Sequence, residues 1–506
     1  MTDIMLEKIN ESFVKVHCEK STAMELRDFF TFRAKNYKFH PMYKSRVWDG
    51  NIRLYNINTS LIPTGLASKI IGWAKDNDYS LDVQNPLQYI EKFDDAEEFI
   101  QNLNLPEKIT RRDYQDEAFV DSIQKKRSVV VCPTASGKSL IIYMAIRKLV
   151  DMLPGEKGLL VVPTTSLVEQ MYSDFAEYGY DVETHCHRVH GQVKKGARVP
   201  SLVGKTPHIS DRRDTDKPIT ITTWQSIQKQ PKEWFHQFSW IVGDEAHHFQ
   251  AKALTYIMEN LVNAEFRIGT TGTIEDGKIH ALTLQGHFGS VKEYITTSDL
   301  MDRGLVSNLE IKGLVLKHDK DVCDFRSKEN WNYQKEIEYL IGNEKRNKFI
   351  VKLALKQKGN CLVLFNHVEK HGHVLEKLFN GIIHTKKVFY IHGGVKTSER
   401  EAIREYANTH DDCVILASYG TYSTGVNLPN LQSAIFAIGF KSKIRVLQSI
   451  GRTLRLDGGD NHAVLFDICD DMSKGKNQNF ALAHFLERME LYFKQRFNVK
   501  MVSIDI

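Results

Sequence analysis

The stretch that most constrains this chain is Ser128 to Ser139, read Ser-Val-Val-Val-Cys-Pro-Thr-Ala-Ser-Gly-Lys-Ser. Val129, Val130 and Val131 form an apolar β-branched run, the signature of a strand buried on both faces of a parallel sheet. The run enters a turn closed by Gly137-Lys138-Ser139, after which Leu140, Ile141, Ile142, Ala145, Ile146 and Leu149 recur at helical spacing. Strand, loop and helix in that order build a phosphate cradle, because backbone N–H groups at a helix N-terminus and its dipole attract anions. Pro133, Thr134, Ala135, Ser136 and Gly137 supply the loop. Lys138 is placed to reach the β- and γ-phosphates of ATP, and the Ser139 hydroxyl to ligate Mg²⁺. The pattern GxxxxGK(S/T) puts glycine at 132, where this chain has Cys132. An ordinary strand-turn-helix connection has the same outline, so the loop alone does not decide.

A second element supplies acid. Trp240-Ile241-Val242-Gly243 is an apolar strand that delivers Asp244 and Glu245, followed by Ala246 and His247. Asp244 suits the Mg²⁺ shell and Glu245 the polarisation of an attacking water. The next strand, Phe266-Arg267-Ile268-Gly269, ends in Thr270-Thr271-Gly272-Thr273. The hydroxyls of Thr271 and Thr273 are expected to hydrogen-bond the acidic pair and, with His247, to report loss of the γ-phosphate. Upstream, Arg112-Asp113-Tyr114-Gln115 precedes a helix shortly before the loop. A glutamine amide satisfies both donor and acceptor edges of adenine, so Arg112 and Gln115 are read as nucleotide-binding. Further strands, Leu159 to Val162 and Ile219 to Thr223, end near Thr165, Ser166, Thr223 and Gln225. Such groups at the carboxyl ends of parallel strands lie where open α/β sheets bind ligands.

The order of these elements resembles a superfamily 2 helicase, with the Asp-Glu-Ala-His box and Thr-Gly-Thr in place of the usual Ser-Ala-Thr. The second half conforms. Trp331 to Gln357 reads as a helix leading to the strand Cys361 to Phe365, Val388 to Ile391 and Val414 to Ser418 read as further strands, and Ser423-Thr424-Gly425-Val426-Asn427 follows. Gln448-Ser449-Ile450-Gly451-Arg452-Thr453-Leu454-Arg455 resembles the arginine-finger motif QxxGRxxR. Arg452 and Arg455, three apart on a helix, share one face and are expected to reach the γ-phosphate, a contribution of roughly 10³–10⁵ in turnover. The resemblance implies an α/β protein of two tandem RecA-like domains, parallel sheets flanked by helices, with ATP held by both. It also places Gly425 and Gln448 at the nucleotide and Ser418 on the strand-tracking groove, beside Thr165, Ser166, Thr223 and Gln225.

The first hundred residues read as a small α+β unit. Between Phe32 and Tyr55, Arg33, Lys35, Lys38, Lys44, Arg46 and Arg53 interleave with Phe32, Tyr37, Phe39, Tyr43 and Trp48. Basic side chains contact phosphates and aromatic rings stack on bases, so Arg33, Lys35, Lys38, Lys44, Arg46 and Trp48 are expected to bind DNA. A half-buried sheet with solvated lysines is the competing reading. Asp49-Gly50 reads as a hairpin turn, and Thr22 with Glu25 as a capping box. With Trp48-Asp49-Gly50 included, essentially the whole chain resembles the UvsW family of T-even phage helicases, recombination-associated enzymes similar to the RecG group. That resemblance implies ATP-dependent unwinding or branch migration of forks, Holliday junctions, D-loops and R-loops, in recombination, repair and replication.

Size and composition limit the alternatives. A chain of 506 residues exceeds one core. The expected division is residues 1–104 for the accessory unit, 105–302 and 303–470 for the RecA-like domains, and 471–506 for an amphipathic helix packed on the second. A net charge of +5 permits a polyanionic partner. Seven cysteines without a CxxC pair suit a reducing compartment, and no apolar run spans a bilayer. A soluble, cytoplasmic monomer is expected, in the host cytoplasm for a phage-encoded chain. Its expected partners are branched DNA, RNA–DNA hybrids and recombination or replication proteins. His185, Cys186, His187 and His190 cluster, but zinc takes four ligands and no second pair lies at finger spacing. The basic stretch 192–217 is read as a loop. A double-strand DNA translocase that does not unwind and a protein-remodelling ATPase remain alternatives at this point.

Overall fold

The computed structural model describes residues 2–34, 37–84, 95–189, 216–249, 252–273, 278–306, 308–423, 430–439 and 462–506. The chain divides into two compact units. One holds Met1–Cys132 and Gly137–Tyr294, and the other holds Ile295–Ile506 with the loop residues Pro133–Ser136. Among the described residues no helix is long and apolar enough to cross a membrane.

The first unit begins with β1 (Ile4–Lys8), β2 (Phe13–Cys18), β3 (Thr31–Arg33), β4 (Asn51–Arg53), β5 (Leu61–Pro63) and β6 (Leu81–Gln84). Four of these form a sheet of order β5-β2-β1-β6, and β3 pairs with β4 separately. The period of two along each strand puts Ile4, Leu6, Val14 and Val16 on one buried face. There they share a core with Leu26 of the helix Lys20–Phe29 and with Ile70 and Trp73 of the helix Ala67–Asp76.

The motor sheet of this unit comprises β7 (Arg127–Val131), β8 (Lys157–Val162), β9 (Cys186–Val189), β10 (Ile219–Thr223), β11 (Phe238–Asp244), β12 (Phe266–Thr271) and β13 (Ser290–Glu293). Its order is β13-β7-β12-β11-β8-β10-β9, and the pairings are parallel. Leu160 and Val162 enter one apolar core while Leu159 and Val161 enter another, which is why these strands read as unbroken apolar runs. Ile100 and Leu103 also enter the first of those cores.

The accessory sheet is locked onto the motor sheet at the starts of β7 and β12. Arg127 Nη2 lies 2.8 Å from the Glu11 carboxylate, and Arg267 Nη2 donates to Ser12 Oγ at 2.7 Å. Ser12 Oγ in turn donates to the Met258 carbonyl at 3.0 Å, and Glu11 N to the Val262 carbonyl at 3.0 Å. The buried Arg267 guanidinium also donates to the carbonyls of Met258, Leu261 and Ala264. Gly65 meets the helix Lys278–Phe288 so closely that a Cβ there would lie 2.0 Å from the Gln285 carbonyl oxygen. Only glycine tolerates such an approach.

The second unit contains β14 (Asn308–Lys317), β15 (Cys361–Phe365), β16 (Lys387–Ile391), β17 (Cys413–Ser418), β18 (Ser433–Phe436), β19 (His462–Asp471) and β20 (Asn498–Asp505). They form a second parallel sheet of order β16-β17-β15-β18-β19-β14-β20. The helix Phe480–Lys494 packs on it through a buried pair, Arg488 Nε to Asp467 at 2.8 Å, with Tyr492 Oη donating to the same carboxylate at 2.9 Å. The helix Thr297–Asp302 belongs to this unit, ahead of the 302/303 boundary expected from sequence. Asp299 pairs with Arg496 at 3.1 Å, and Ser298 Oγ donates to the Gln495 carbonyl.

Four local expectations differ from the structure. The helix read from Thr22 starts at Lys20 after an N-cap at Glu19, so Thr22 and Glu25 form no capping box. Asp49-Gly50 does not close a hairpin between Val47-Trp48 and Ile52. His40 caps the short helix Pro41–Lys44, and β4 pairs with the distant β3 instead. A single helix read from Trp331 to Gln357 is broken at Asn343, whose side chain caps a new helix by accepting from Arg346 N at 3.0 Å. The tail beyond residue 471 holds, besides its helix, the strand β20 parallel to β14.

Candidate nucleotide site and nucleic-acid surface

The phosphate loop follows β7 directly. Cys132 N donates to the Thr271 carbonyl at 2.9 Å, prolonging the β7–β12 ladder, and Cys132 keeps a negative φ. That is why no glycine is needed at 132. The left-handed positions are Ala135, at φ 68°, and Gly137, at φ 79°. A non-glycine residue held there stores roughly 1–2 kcal/mol. Gly137 caps the helix Lys138–Met152, whose N-terminus the loop faces. Lys138 Nζ lies 3.2 Å from the Cys132 carbonyl, folded back over the loop, and Ser139 is half-buried in the first helical turn.

Gln115 is buried and joins two parts of the site. Its Oε1 accepts from Arg112 N at 2.9 Å, and its Nε2 donates to the Gly137 carbonyl at 3.4 Å. A Cβ on Gly137 would sit 2.3 Å from that amide nitrogen. Arg112 Nη1 also donates to the Tyr114 hydroxyl at 2.9 Å. The amide that sequence assigns to adenine therefore braces the phosphate loop.

Asp244 ends β11 and Glu245 turns out of it with φ 51° and ψ 52°. Thr270 Oγ1 donates to Asp244 Oδ1 at 2.8 Å, with both side chains buried. His247 Nδ1 lies 2.9 Å from Thr271 Oγ1 and 3.3 Å from Glu245 Oε2. Thr271 Oγ1 donates to the Thr273 carbonyl at 2.9 Å and accepts weakly from Thr273 N at 3.4 Å. The expected bonds from Thr271 and Thr273 to the acidic pair are thus replaced. Thr270 holds Asp244, and Thr271 links His247 to Thr273. The parallel register explains the exchange, since Asp244 lies directly opposite Thr270. Thr270 was missed because the Thr-Gly-Thr match begins one residue later.

Electrostatics separate the two acids. Burial and the adjacent Glu245 charge push the Asp244 carboxyl above its ordinary range, against the pull of Lys138 and Thr270. Burial also raises Glu245, but the His247 bond and the Lys138 charge outweigh it and hold Glu245 low. Asp244 is therefore a buried carboxylate short of positive charge, while Glu245 stays ionised. That donor set fits a divalent cation beside a phosphate loop.

Arg452, Arg455, Gly425, Gln448 and Lys35 lie outside the described residues, as do His190 and most of the basic stretch 192–217. His185 Nδ1 lies 2.9 Å from the Asp181 carbonyl, while Cys186 and His187 alternate on β9. On the first unit, Thr165 is half-buried and Ser166 and Gln225 are exposed. Gln225 Nε2 donates to the Pro163 carbonyl at 3.4 Å, joining the loops after β8 and β10. Thr223 is buried and bonded to Ser226 Oγ at 2.9 Å. In the second unit Ser418 is buried and bonded to Thr421 Oγ1 at 2.8 Å. On the accessory unit Lys38, Lys44, Arg46, Trp48 and Arg53 line an open groove of about 730 Å³. Arg33 stacks over the Tyr37 ring at 4.6 Å and donates to the Asp49 carbonyl at 2.6 Å.

A phosphate loop after β7, an Asp-Glu-Ala-His box at the end of β11 across the intervening β12, and a second parallel sheet define a P-loop motor of the helicase class. Residues 3–84 match the N-terminal domain of UvsW DNA helicases. Residues 108–276 match the res subunit of type III restriction enzymes, and 344–457 the conserved helicase C-terminal domain. The chain is 34% identical to the ATP-dependent DNA helicase uvsW of Enterobacteria phage T4 over 100% of both chains. It is 26% identical to the DNA 3'-5' translocase XPB2 of Sulfurisphaera tokodaii, over 75% of this chain and 87% of that one. The crystal structure of T4 UvsW superposes with a TM-score of 0.51 at 32% identity, covering 100% of both chains. The chain belongs to the UvsW family of ATP-dependent DNA helicases.

Proposed function

We propose that this helicase is Mg²⁺-dependent and acts on branched nucleic acid, unwinding or branch-migrating forks, Holliday junctions, D-loops and R-loops. The observation that carries the reading is the pair of cross-strand bonds, Thr270 to Asp244 and Thr271 to His247, that ties the ends of β11 and β12 together beside Lys138. Lys138 is assigned to the β- and γ-phosphates, and Ser139 and Asp244 would hold Mg²⁺, which would supply neutralisation of the charge that develops on the phosphoryl oxygens. Glu245, ionised at neutral pH, accepts a hydrogen bond from the attacking water and orients it. His247, in reach of both Glu245 and Thr271, carries a change at the γ-phosphate into the end of β12. Gln115 keeps the phosphate loop in register with Arg112 on the adenine side. Arg452 and Arg455 are assigned to the transition state, and Gly425 and Gln448 to the nucleotide, on their motifs.

DNA is assigned to two surfaces. On the first unit Thr165, Ser166 and Gln225 are assigned to phosphate contacts without sequence readout, with the buried Thr223 positioning Ser226 beneath them; on the second, Ser418, buried against Thr421, is assigned to strand tracking by its motif. Arg33, Lys35, Lys38, Lys44, Arg46 and Trp48 hold the duplex near the branch. The test is Lys138→Ala, measured by ATP hydrolysis with and without forked DNA, strand displacement and gel shift. The variant is expected to lose DNA-stimulated hydrolysis and unwinding while still binding the fork. Wild-type hydrolysis indifferent to DNA would overturn the reading.

A further inference from the structure

The segment between β3 and β4 displays apolar side chains that its own packing leaves outside. Phe39 is 76% exposed, Val47 72% and Met42 48%. Met42 and Val47 are neighbours, because Val47 N and Trp48 N both donate to the Met42 carbonyl, at 2.9 and 3.1 Å, and Phe39 ends the single turn Tyr37–Phe39 that leads into the helix Pro41–Lys44 carrying Met42. The described part of the segment is built around other rings: Tyr37 meets Tyr43 edge-on at 4.7 Å, and His40 meets Trp48 at 5.1 Å. Trp48 Nε1 is fixed on the Asn51 carbonyl at 2.8 Å. Exposure of Phe39, Met42 and Val47 is therefore a property of a folded surface. Clustered exposed apolar groups with a polar rim mark a binding site.

The surroundings select the ligand. Val47 lines the groove together with Lys38, Lys44, Arg46 and Arg53, and Asp49, the carboxylate among its described lining residues, is paired with Arg53. A ligand for the face carries dense negative charge and also offers flat apolar surface. Continuous duplex offers the charge but hides its base faces in the stack. A branch point offers both, because stacking is interrupted where strands part.

We propose that Phe39, Met42 and Val47 form a platform for the unstacked bases of a branch point, with the neighbouring lysines and arginines on the flanking phosphates. This rests on the reading that the accessory groove binds DNA, and it adds the feature that separates branched from continuous substrates. The cations hold any duplex, and the apolar platform adds affinity only where a base face is bare.

The experiment uses the full chain without nucleotide, on a fork with 2-aminopurine at the junction and on plain duplex of equal length. Wild-type protein is expected to raise the 2-aminopurine signal at the junction and to prefer the fork. Phe39→Ala is expected to lose that rise and to lower fork affinity about tenfold, the size of one lost base stack, and Val47→Ala to lower it less, with plain-duplex affinity unchanged in both. Phe39→Trp restores fork affinity. Lys44→Ala/Arg46→Ala tests the underlying reading separately, since it is expected to weaken fork and duplex alike and to flatten the salt dependence. Unaltered junction fluorescence in Phe39→Ala, or equal losses on fork and duplex, overturns the platform while leaving the groove standing. A change in sedimentation with no change on DNA overturns it in favour of a protein interface. If the double lysine–arginine variant binds as wild type, the groove reading itself falls.

Discussion

Replacing Thr270 by valine isolates the bond that holds Asp244. The two residues are nearly isosteric, the position is buried, and the lost contact is one 2.8 Å donation to a carboxylate oxygen. A hydrogen bond to a charged group contributes about 1.5–3 kcal/mol, and one pH unit corresponds to about 1.36 kcal/mol. Burial and Glu245 already hold the Asp244 carboxyl above its ordinary range, and the Thr270 bond works against them. Removing it favours the protonated acid further, so the pKa rises by about 1–2 units. On the role proposed for Asp244, Mg²⁺ ligation requires the ionised form, so activity is lost on the acidic side. The pH profile of kcat/KM for ATP, which reports the free enzyme, is expected to shift its acid limb upward by that amount. The Mg²⁺ requirement rises with it, and the rates converge at alkaline pH. Matching limbs for the Thr270→Val and wild-type proteins would refute the assignment of Asp244 as the group poised by β12.

Glu11→Gln removes one partner of a largely buried pair, a change of roughly 3–5 kcal/mol for a fully buried one and about 2 kcal/mol here after allowing for partial exposure. Burial raises the Glu11 pKa, but the Arg127 charge and the Lys8 bond outweigh it, so the folded value is depressed. Its stabilisation is present above the ordinary carboxylate range and lost as pH falls through the folded value. Thermal melts should show a steeper acid loss in wild type than in the variant, and parallel curves would count against the pair. Gln115→Ala removes the bond accepted from Arg112 N and the bond donated to the Gly137 carbonyl, about 1–2 kcal/mol in all. KM for ATP should rise with fork binding intact; an unchanged KM would return Gln115 to a passive role. Deleting residues 497–506 strips β20 from β14 and should lower thermal stability and promote aggregation through the bared edge, whereas an unaltered melt would show the strand to be dispensable.

The interior of the fold was legible wherever burial on both faces wrote itself as an apolar run, as in Val129–Val131 and Cys361–Phe365. Legibility failed where a distant partner decides. β20 reads Asn-Val-Lys-Met-Val-Ser-Ile-Asp, mixed in polarity because it pairs on one side only, and nothing local marks it as a continuation of β14. Asp49-Gly50 carried a strong turn signal, yet β4 found β3 across an intervening helix. At the site, residue types and spacing placed Lys138, Asp244, Glu245 and His247. The partner of each acid depended on strand register, which no single sequence states. Arg127 and Arg267 did leave a trace, since a buried strand that carries an arginine near its start requires acceptors from elsewhere. The acceptors, Glu11 and Ser12, lie too far back in the chain to be guessed.

The seam formed by Glu11, Ser12 and Gly65 bears on how such chains can be recombined. Arg267 is solvated by carbonyls and one serine hydroxyl, so a motor stripped of its leading domain is left with a cation whose cage is incomplete. A chimera carrying a foreign head would have to supply an equivalent hydroxyl, a carboxylate for Arg127 and a side-chain-free approach to Gln285. Swapping heads between relatives therefore succeeds or fails at this join, irrespective of how well either half works alone.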